Sequence, residues 1–258
     1  MIFFDIDGTL ISKQEDGIPD SAVRAIRQAQ KNGHVCLVNT GRSYKLVGGW
    51  LPKLLEFDGY LCGCGTHIIY RGRTLIHKTF PGELSRHMIE RLERYGIDAV
   101  LEGSENNYHN RLERMHTKVF HDYMLRFAGE GYGSYEEAPG HFDKFYCYAP
   151  ESGQIQGFRR EYGEWLDFID REKGFYEVVP RGFSKAGGMR RVAEHLGVSM
   201  EDTAAIGDSN NDLSMLKCAH AAIAMGNGSR AVKEIADYVT GEVEGDGIRD
   251  ALDWLGVL

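Results

Sequence analysis

The chain has 258 residues, room for one large domain or two modest ones at about 100–200 residues each. With 42% hydrophobic and 26% charged residues it is neither disordered nor collagenous in composition, and a net charge of −8 argues against a general nucleic-acid binder. No apolar stretch approaches the roughly 18 residues of a membrane span, the acidic start MIFFDIDGTL is unlike a secretory signal, and five scattered Cys fit a reduced, cytoplasmic protein.

Met1–Ile6 is a short apolar run ending in acids and reads as a buried strand. Pro19, Asp20 and Ser21 announce a helix whose Ala22, Val23, Ile26 and Ala29 follow at helical spacing until Gly33. His34–Val38 predicts a second strand, Ser43–Leu55 a helix and Gly59–Leu61 a third strand, a rhythm that implies a parallel α/β sheet. His67–Tyr70 and Thr74–Lys78 then flank a turn at Arg71-Gly72-Arg73, a hairpin pattern.

From residue 82 to 182 the pattern changes to an α+β unit richer in aromatics and His. Helices are expected at Glu83–Tyr95, Met115–Phe127 and Ser152–Glu161, and strands at Ile97–Leu101, Asp143–Ala149, Leu166–Asp170 and Tyr176–Val179. The α/β rhythm returns at Ser184, which caps a helix to His195, followed by strands at Thr203–Gly207 and Ala221–Ala224. Helices at Asn211–Leu216 and Ala231–Ala236, then Tyr238–Thr240 and Gly247–Leu255, complete the series. The organisation expected is a catalytic core made of 1–81 and 183–258, interrupted by an inserted α+β cap at 82–182.

Four local features carry chemistry. Asp5 and Asp7 stand two apart at a strand end, where alternation would put both carboxylates on one face. Ligand sites in open parallel sheets lie beyond the carboxyl ends of strands. Gly207-Asp208-Ser209-Asn210-Asn211-Asp212 follows another strand, so Asp208 would meet Asp5, and close carboxylates call for a cation. Mg²⁺ suits such hard oxygen ligands. Thr40-Gly41-Arg42 offers a hydroxyl and backbone N–H groups to an anion. Lys185 opens a helix against its dipole, a local conflict typical of a functional site. Each feature also has a plain reading: strand-end punctuation, a capped turn, a Thr-Gly turn, a solvated Lys.

Taken together, Asp5-Ile6-Asp7-Gly8-Thr9-Leu10, Asn39-Thr40-Gly41-Arg42, Ser184-Lys185 and the Gly207–Asp212 loop resemble, in order, the motifs of the haloacid dehalogenase superfamily of phosphohydrolases. The tail through Ile223-Ala224-Met225-Gly226-Asn227 and Asp246-Gly247-Ile248 is similar to its Cof-type branch. The resemblance implies a three-layer, Rossmann-like parallel-sheet core with an inserted cap. It implies a Mg²⁺-dependent phosphatase acting on a small phosphorylated metabolite, a sugar phosphate foremost, through an aspartyl-phosphate. Asp5 would be the nucleophile and Asp7 the general acid and base. The metal would be held by Asp5, the Asp7 carbonyl and Asp208. Phosphate oxygens would meet Ile6 N–H, Thr40, Gly41 N–H, Lys185 and Asn211, and Asp212 would steer Lys185 or the metal shell rather than bind metal directly. The expected protein is a monomer or weak homodimer without nucleic-acid or membrane partners. A phosphomutase, a metabolite-binding regulator and a dehalogenase are the rival readings.

One departure is visible. The family often has Asn-Gly-Ala after the third strand, where this chain has Cys64-Gly65-Thr66. Cys62 and Cys64, which with His67 could be imagined as metal ligands, read instead as buried, unreactive thiols, since a C-x-C without a second pair is a weak zinc signal. His109, His116, His121 and His141 among Arg111, Arg114, Lys118 and Arg126 read as a solvated face, with an anion-binding cap surface as the alternative. Tyr123, Phe127, Phe142, Phe145 and Tyr146 are read as core.

Overall fold

A computed structural model describes residues 1–12, 17–125, 132–137 and 141–258; Arg126 and Phe127 lie outside them. In chain order, the first elements are β1 (Ile2–Phe4), α1 (Asp20–Lys31), β2 (Cys36–Asn39), α2 (Leu51–Leu54), β3 (Gly59–Cys62), β4 (His67–Tyr70) and β5 (Arg73–His77). The middle stretch supplies α3 (Gly82–Arg94), β6 (Asp98–Glu102), β7 (Asn107–His109), α4 (Lys118–Leu125), β8 (Gly133–Ser134), β9 (Lys144–Tyr148), α5 (Ser152–Tyr162), β10 (Leu166–Asp170) and β11 (Phe175–Pro180). The chain then forms α6 (Lys185–Leu196), β12 (Ala204–Gly207), α7 (Leu213–Leu216), β13 (Ala221–Ala224), α8 (Arg230–Lys233), β14 (Tyr238–Val239) and α9 (Gly247–Trp254).

Two sheets result. The larger has the order β14-β13-β12-β1-β2-β3-β4-β5, parallel from β14 to β3 and antiparallel through the β4–β5 hairpin. Side-chain alternation explains its two buried faces. Ile2 and Phe4 pack with Ala22, Ile26 and Ala29 of α1 and with Ile248, Ala251 and Leu252 of α9. Phe3 faces the other way, into a core with Met189 and Val192 of α6 and Met215 and Leu216 of α7. Helices therefore cover both sides, giving a three-layer α/β core. The smaller sheet, β10-β11-β9-β6-β7-β8, is antiparallel except at β7–β8. It packs Leu101, Phe145, Cys147 and Val178 against Met88 and Leu92 of α3 and Phe158 of α5.

Two expected helices shrink. Ser43–Leu55 becomes a 3-10 turn at Tyr44–Leu46 and the single turn α2. Gly48 and Gly49 break the run, and the Tyr44 ring lies where a Gly48 Cβ would stand, 2.7 Å from it. Ala231–Ala236 is reduced to Arg230–Lys233. β7 and β8 are short additions that apolar patterning does not reveal. Among the described residues, no helix is long and apolar enough to cross a membrane.

Candidate active site

β1 lies between β2 and β12. The chain leaves β1 to one side through α1 and returns on the other, so the carboxyl end of β1 is a switch point where a crevice forms. Asp5, Thr40 and Asp208 follow the ends of β1, β2 and β12, and all three are buried.

Lys185, the first residue of α6, is buried among them. Its Nζ donates to Asp5 Oδ1 at 2.6 Å and to Asp212 Oδ1 at 2.5 Å. Ser184 caps the helix, accepting from Gly187 N at 3.0 Å, and so fixes where Lys185 begins. Asp212 Oδ2 accepts from the N–H groups of Asp208 and Ser209 at 2.9 and 3.0 Å. One carboxylate thus orients both the ammonium and the acidic loop. Ser209 Oγ donates to Asn211 Oδ1 at 2.7 Å, fixing that amide beside the same loop.

Burial pulls the Lys185 ammonium down, but Asp212 and Asp5 outweigh it and hold it above its usual range. Burial, and next Asp212, push the Asp5 carboxyl up, and Lys185 opposes this only in part. Oxygens of Asp5, Asp208 and Asp212 lie within 4.8 Å of one another. One ammonium among three buried carboxylates leaves an excess of negative charge. This donor set fits a hard divalent cation such as Mg²⁺, whose charge would favour the ionised Asp5. A Cβ on Gly8 would collide with the Asp208 carboxylate, and the Gly8 φ of +84° is left-handed, so this approach needs glycine.

Asp7 stands apart. β1 ends at Phe4, so alternation does not extend to residue 7, and the Asp7 carboxylate turns to Arg42. The pair is bidentate, with Arg42 Nε 2.8 Å from Asp7 Oδ2. Its Asp7 side chain is 47% exposed, whereas that of Asp5 is 5% exposed. Ile6 is buried at the β1 end, and its carbonyl accepts from Leu10 N at 2.9 Å.

The Thr40–Arg42 loop is braced from behind, with Cys64 N donating to Thr40 O at 3.0 Å and Gly63 N to Arg42 O at 2.8 Å. Cys64 adopts a left-handed φ of 56° and its thiol is buried, where burial, and next Glu177, push it well above its usual range.

Sequence reasoning missed the groups that face this loop from the smaller sheet. A Cβ on Gly41 would lie 2.6 Å from Glu177 Oε1. Glu177 on β11 pairs with buried Lys144 on β9 at 2.7 Å, and Lys144 reaches Glu102 on β6 at 2.8 Å. Arg171 approaches Glu177 at 3.4 Å. Burial alone would raise the Glu177 carboxyl, but Lys144 and Arg171 bring it down to about 2. The signal was present: Glu177 interrupts Phe175–Pro180, and Lys144 opens an aromatic strand. Asn210 Nδ2 to Glu172 Oε1 at 2.6 Å and Ser43 Oγ to Asn107 Oδ1 at 3.1 Å also join the two sheets' surroundings.

Arg111 and Arg114 pair with Glu136 at 3.4 and 3.2 Å, and Lys118 with Asp122 at 2.7 Å, all on a solvated face. Phe142 and Phe145 are core, while Tyr123 and Tyr146 are partly buried.

The family model for haloacid dehalogenase-like hydrolases matches residues 2–252. The chain belongs to that family. Putative phosphatase YkrA of Bacillus subtilis (strain 168) is 29% identical over 265 aligned positions, covering 100% of this chain and 98% of that protein. The 5-amino-6-(5-phospho-D-ribitylamino)uracil phosphatase YcsE of the same strain is 28% identical, covering 98% of this chain and 94% of its own. Among solved structures, the HAD subclass IIB sugar phosphatase BT4131 superposes with a TM-score of 0.82 at 24% identity, covering 100% of this chain and 99% of that one. That last likeness is one of fold. The haloacid dehalogenase family, read from the four motifs, and its Cof-type branch, read from their order and the tail, are therefore the family and branch of this chain, and phosphoric monoester hydrolysis is the enzyme class its relatives carry.

Proposed function

We propose that this hydrolase is a Mg²⁺-dependent phosphatase of a small phosphorylated metabolite, a sugar or sugar-alcohol phosphate, working through an aspartyl-phosphate. The observation that carries the reading is buried Asp5, bonded to Lys185 at 2.6 Å, at the carboxyl end of β1 beside Asp208 and the Thr40–Gly41 loop. A site rich in carboxylates can take a phosphate dianion only with compensating charge. Asp5, Asp208 and the Asp7 carbonyl would hold Mg²⁺, which supplies charge neutralisation for the phosphoryl group.

In the first half-reaction an Asp5 oxygen forms a bond to phosphorus as the phosphorus–oxygen ester bond breaks, and Asp7 gives its proton to the leaving oxygen. In the second, Asp7 takes a proton from water, the water oxygen bonds to phosphorus, and Asp5 is released as a carboxylate with inorganic phosphate. Thr40, the N–H groups of Ile6 and Gly41, Lys185 and Asn211 would hold the phosphate oxygens. Arg42 occupies both Asp7 carboxylate oxygens, so that ion pair must open for Asp7 to meet the leaving oxygen.

Residues 82–182 are proposed to act as a cap. Glu102, Lys144 and Glu177 face the Thr40–Arg42 loop from that side, and alternating donors and acceptors of this kind suit a leaving group rich in hydroxyls. The 28% identical relative named for a phosphoribityl substrate agrees with that chemistry. The net charge of −8 accords with a small substrate rather than nucleic acid. The test is phosphate release from a panel of sugar phosphates, sugar-alcohol phosphates and nucleotides, with Mg²⁺ and with EDTA. The expected result is metal-dependent release that ranks polyhydroxylated substrates first. No release from any of them would overturn the reading, and transfer within a sugar phosphate would replace it with a mutase.

A further inference from the structure

A second group of ligating side chains lies outside the acidic site, where the hairpin of the larger sheet meets the smaller one. His67 on β4 and His77 on β5 are register partners, and their rings stack at 4.3 Å and 21°. His77 Nε2 is 3.1 Å from both oxygens of Asp143, the residue that precedes β9. Ligand atoms of the three residues all lie within 4.8 Å of one another. His67 is 7% exposed, and its buried Nδ1 has no hydrogen-bond partner. An unpaired imidazole nitrogen in such a place is costly unless something else satisfies it.

We propose that His67, His77 and Asp143 form a second metal site, selective for a borderline ion such as Zn²⁺, that ties the β4–β5 hairpin to the start of β9. Two imidazoles and one carboxylate are a donor set for Zn²⁺ rather than Mg²⁺. Tetrahedral Zn²⁺ at about 2.0–2.1 Å needs ligand atoms about 3.4 Å apart and each imidazole aimed at the ion, so binding would turn the His77 ring out of its stack with His67. The grouping is not the Cys62–Cys64–His67 set considered from spacing: Cys62 is the register partner of His67, but Cys64 sits among Glu177, Lys144 and Lys185. Asp143 directly precedes Lys144, the hub of the ion pairs over the Thr40–Arg42 loop. An ion here would therefore fix the strand that presents Lys144.

The test is metal content after gel filtration of the full chain loaded with Zn²⁺ under excess Mg²⁺, with visible spectra of the Co²⁺ form. Wild type should retain one equivalent of Zn²⁺ and show intense tetrahedral Co²⁺ bands. His77→Gln, a partly exposed position that leaves the core intact, should lose both, and so should His67→Gln if it folds by circular dichroism. Asp208→Asn, which alters only the acidic site, should keep both. Failure of wild type to retain Zn²⁺ would overturn the proposal, as would full retention by His77→Gln or loss in Asp208→Asn alone. None of these outcomes depends on phosphatase activity.

Discussion

At Lys144 two buried carboxylates share one ammonium. Lys144→Met should destabilise the fold by about 3–5 kcal/mol, because it leaves Glu102 and Glu177 buried without their partner. Urea unfolding checks this, and an unchanged midpoint would refute it. Glu177 supplies the pH signature. Its folded carboxyl lies near 2, below its ordinary 4.5, so its contribution is present above 4.5 and is lost as pH falls towards 2. Glu177→Gln should flatten the stability curve across that window. The sign reverses at Asp5, whose carboxyl is raised: the native state holds that proton more tightly than the unfolded chain, and stability falls as pH rises through the folded value. A Mg²⁺ ion held by Asp5 would compete with the same proton, so Mg²⁺ affinity measured by calorimetry should weaken as pH drops, and a pH-independent affinity would count against Asp5 as a ligand. Asp5 and Asp208 were legible because they stand at strand ends, where open parallel sheets take ligands, and Lys185 because it opposes the dipole at a helix start. Asp7 beside Arg42 was not, because the alternation rule stops where β1 stops.

Helix α6 shows how an element transmits such placement. Ser184 accepts from Gly187 N and sets the first turn, so Ser184→Ala should cost about 1 kcal/mol and also lower kcat by loosening Lys185. Equal kcat in the variant would mean that the two carboxylates alone position the ammonium. The Ser184 cap made this helix readable, whereas α1 was readable from Ala22, Ile26 and Ala29 at helical spacing. Ser43–Leu55 misled because its apolar spacing is helical while Gly48 and Gly49 are not helix formers. β9 and β11 were placed correctly as strands, yet Lys144 and Glu177 gained meaning only from pairing across the sheet. Sequence does not state register, and register brings those charges together.

Over the whole molecule, the carboxyl edge of one sheet supplies the acidic groups and the Thr40–Arg42 loop, and the second sheet supplies charged side chains across from them. The first half was legible because each of its four motifs is local. The second was not, because Glu102, Lys144 and Glu177 come from three strands that meet only in three dimensions. Gly41 is the seam between the halves. Gly41→Ala would push a methyl group against buried Glu177, so KM should rise and Tm should fall, and steady-state kinetics alongside thermal melts would check this. The most direct test of the central claim is phosphate release by wild type and Asp5→Asn on the best substrate of the panel, each with saturating Mg²⁺ and with EDTA. The account predicts turnover only for wild type with Mg²⁺, a loss of at least about a thousandfold in Asp5→Asn, and a variant that melts no lower than wild type in EDTA. Metal-dependent release by Asp5→Asn at the wild-type rate would contradict it.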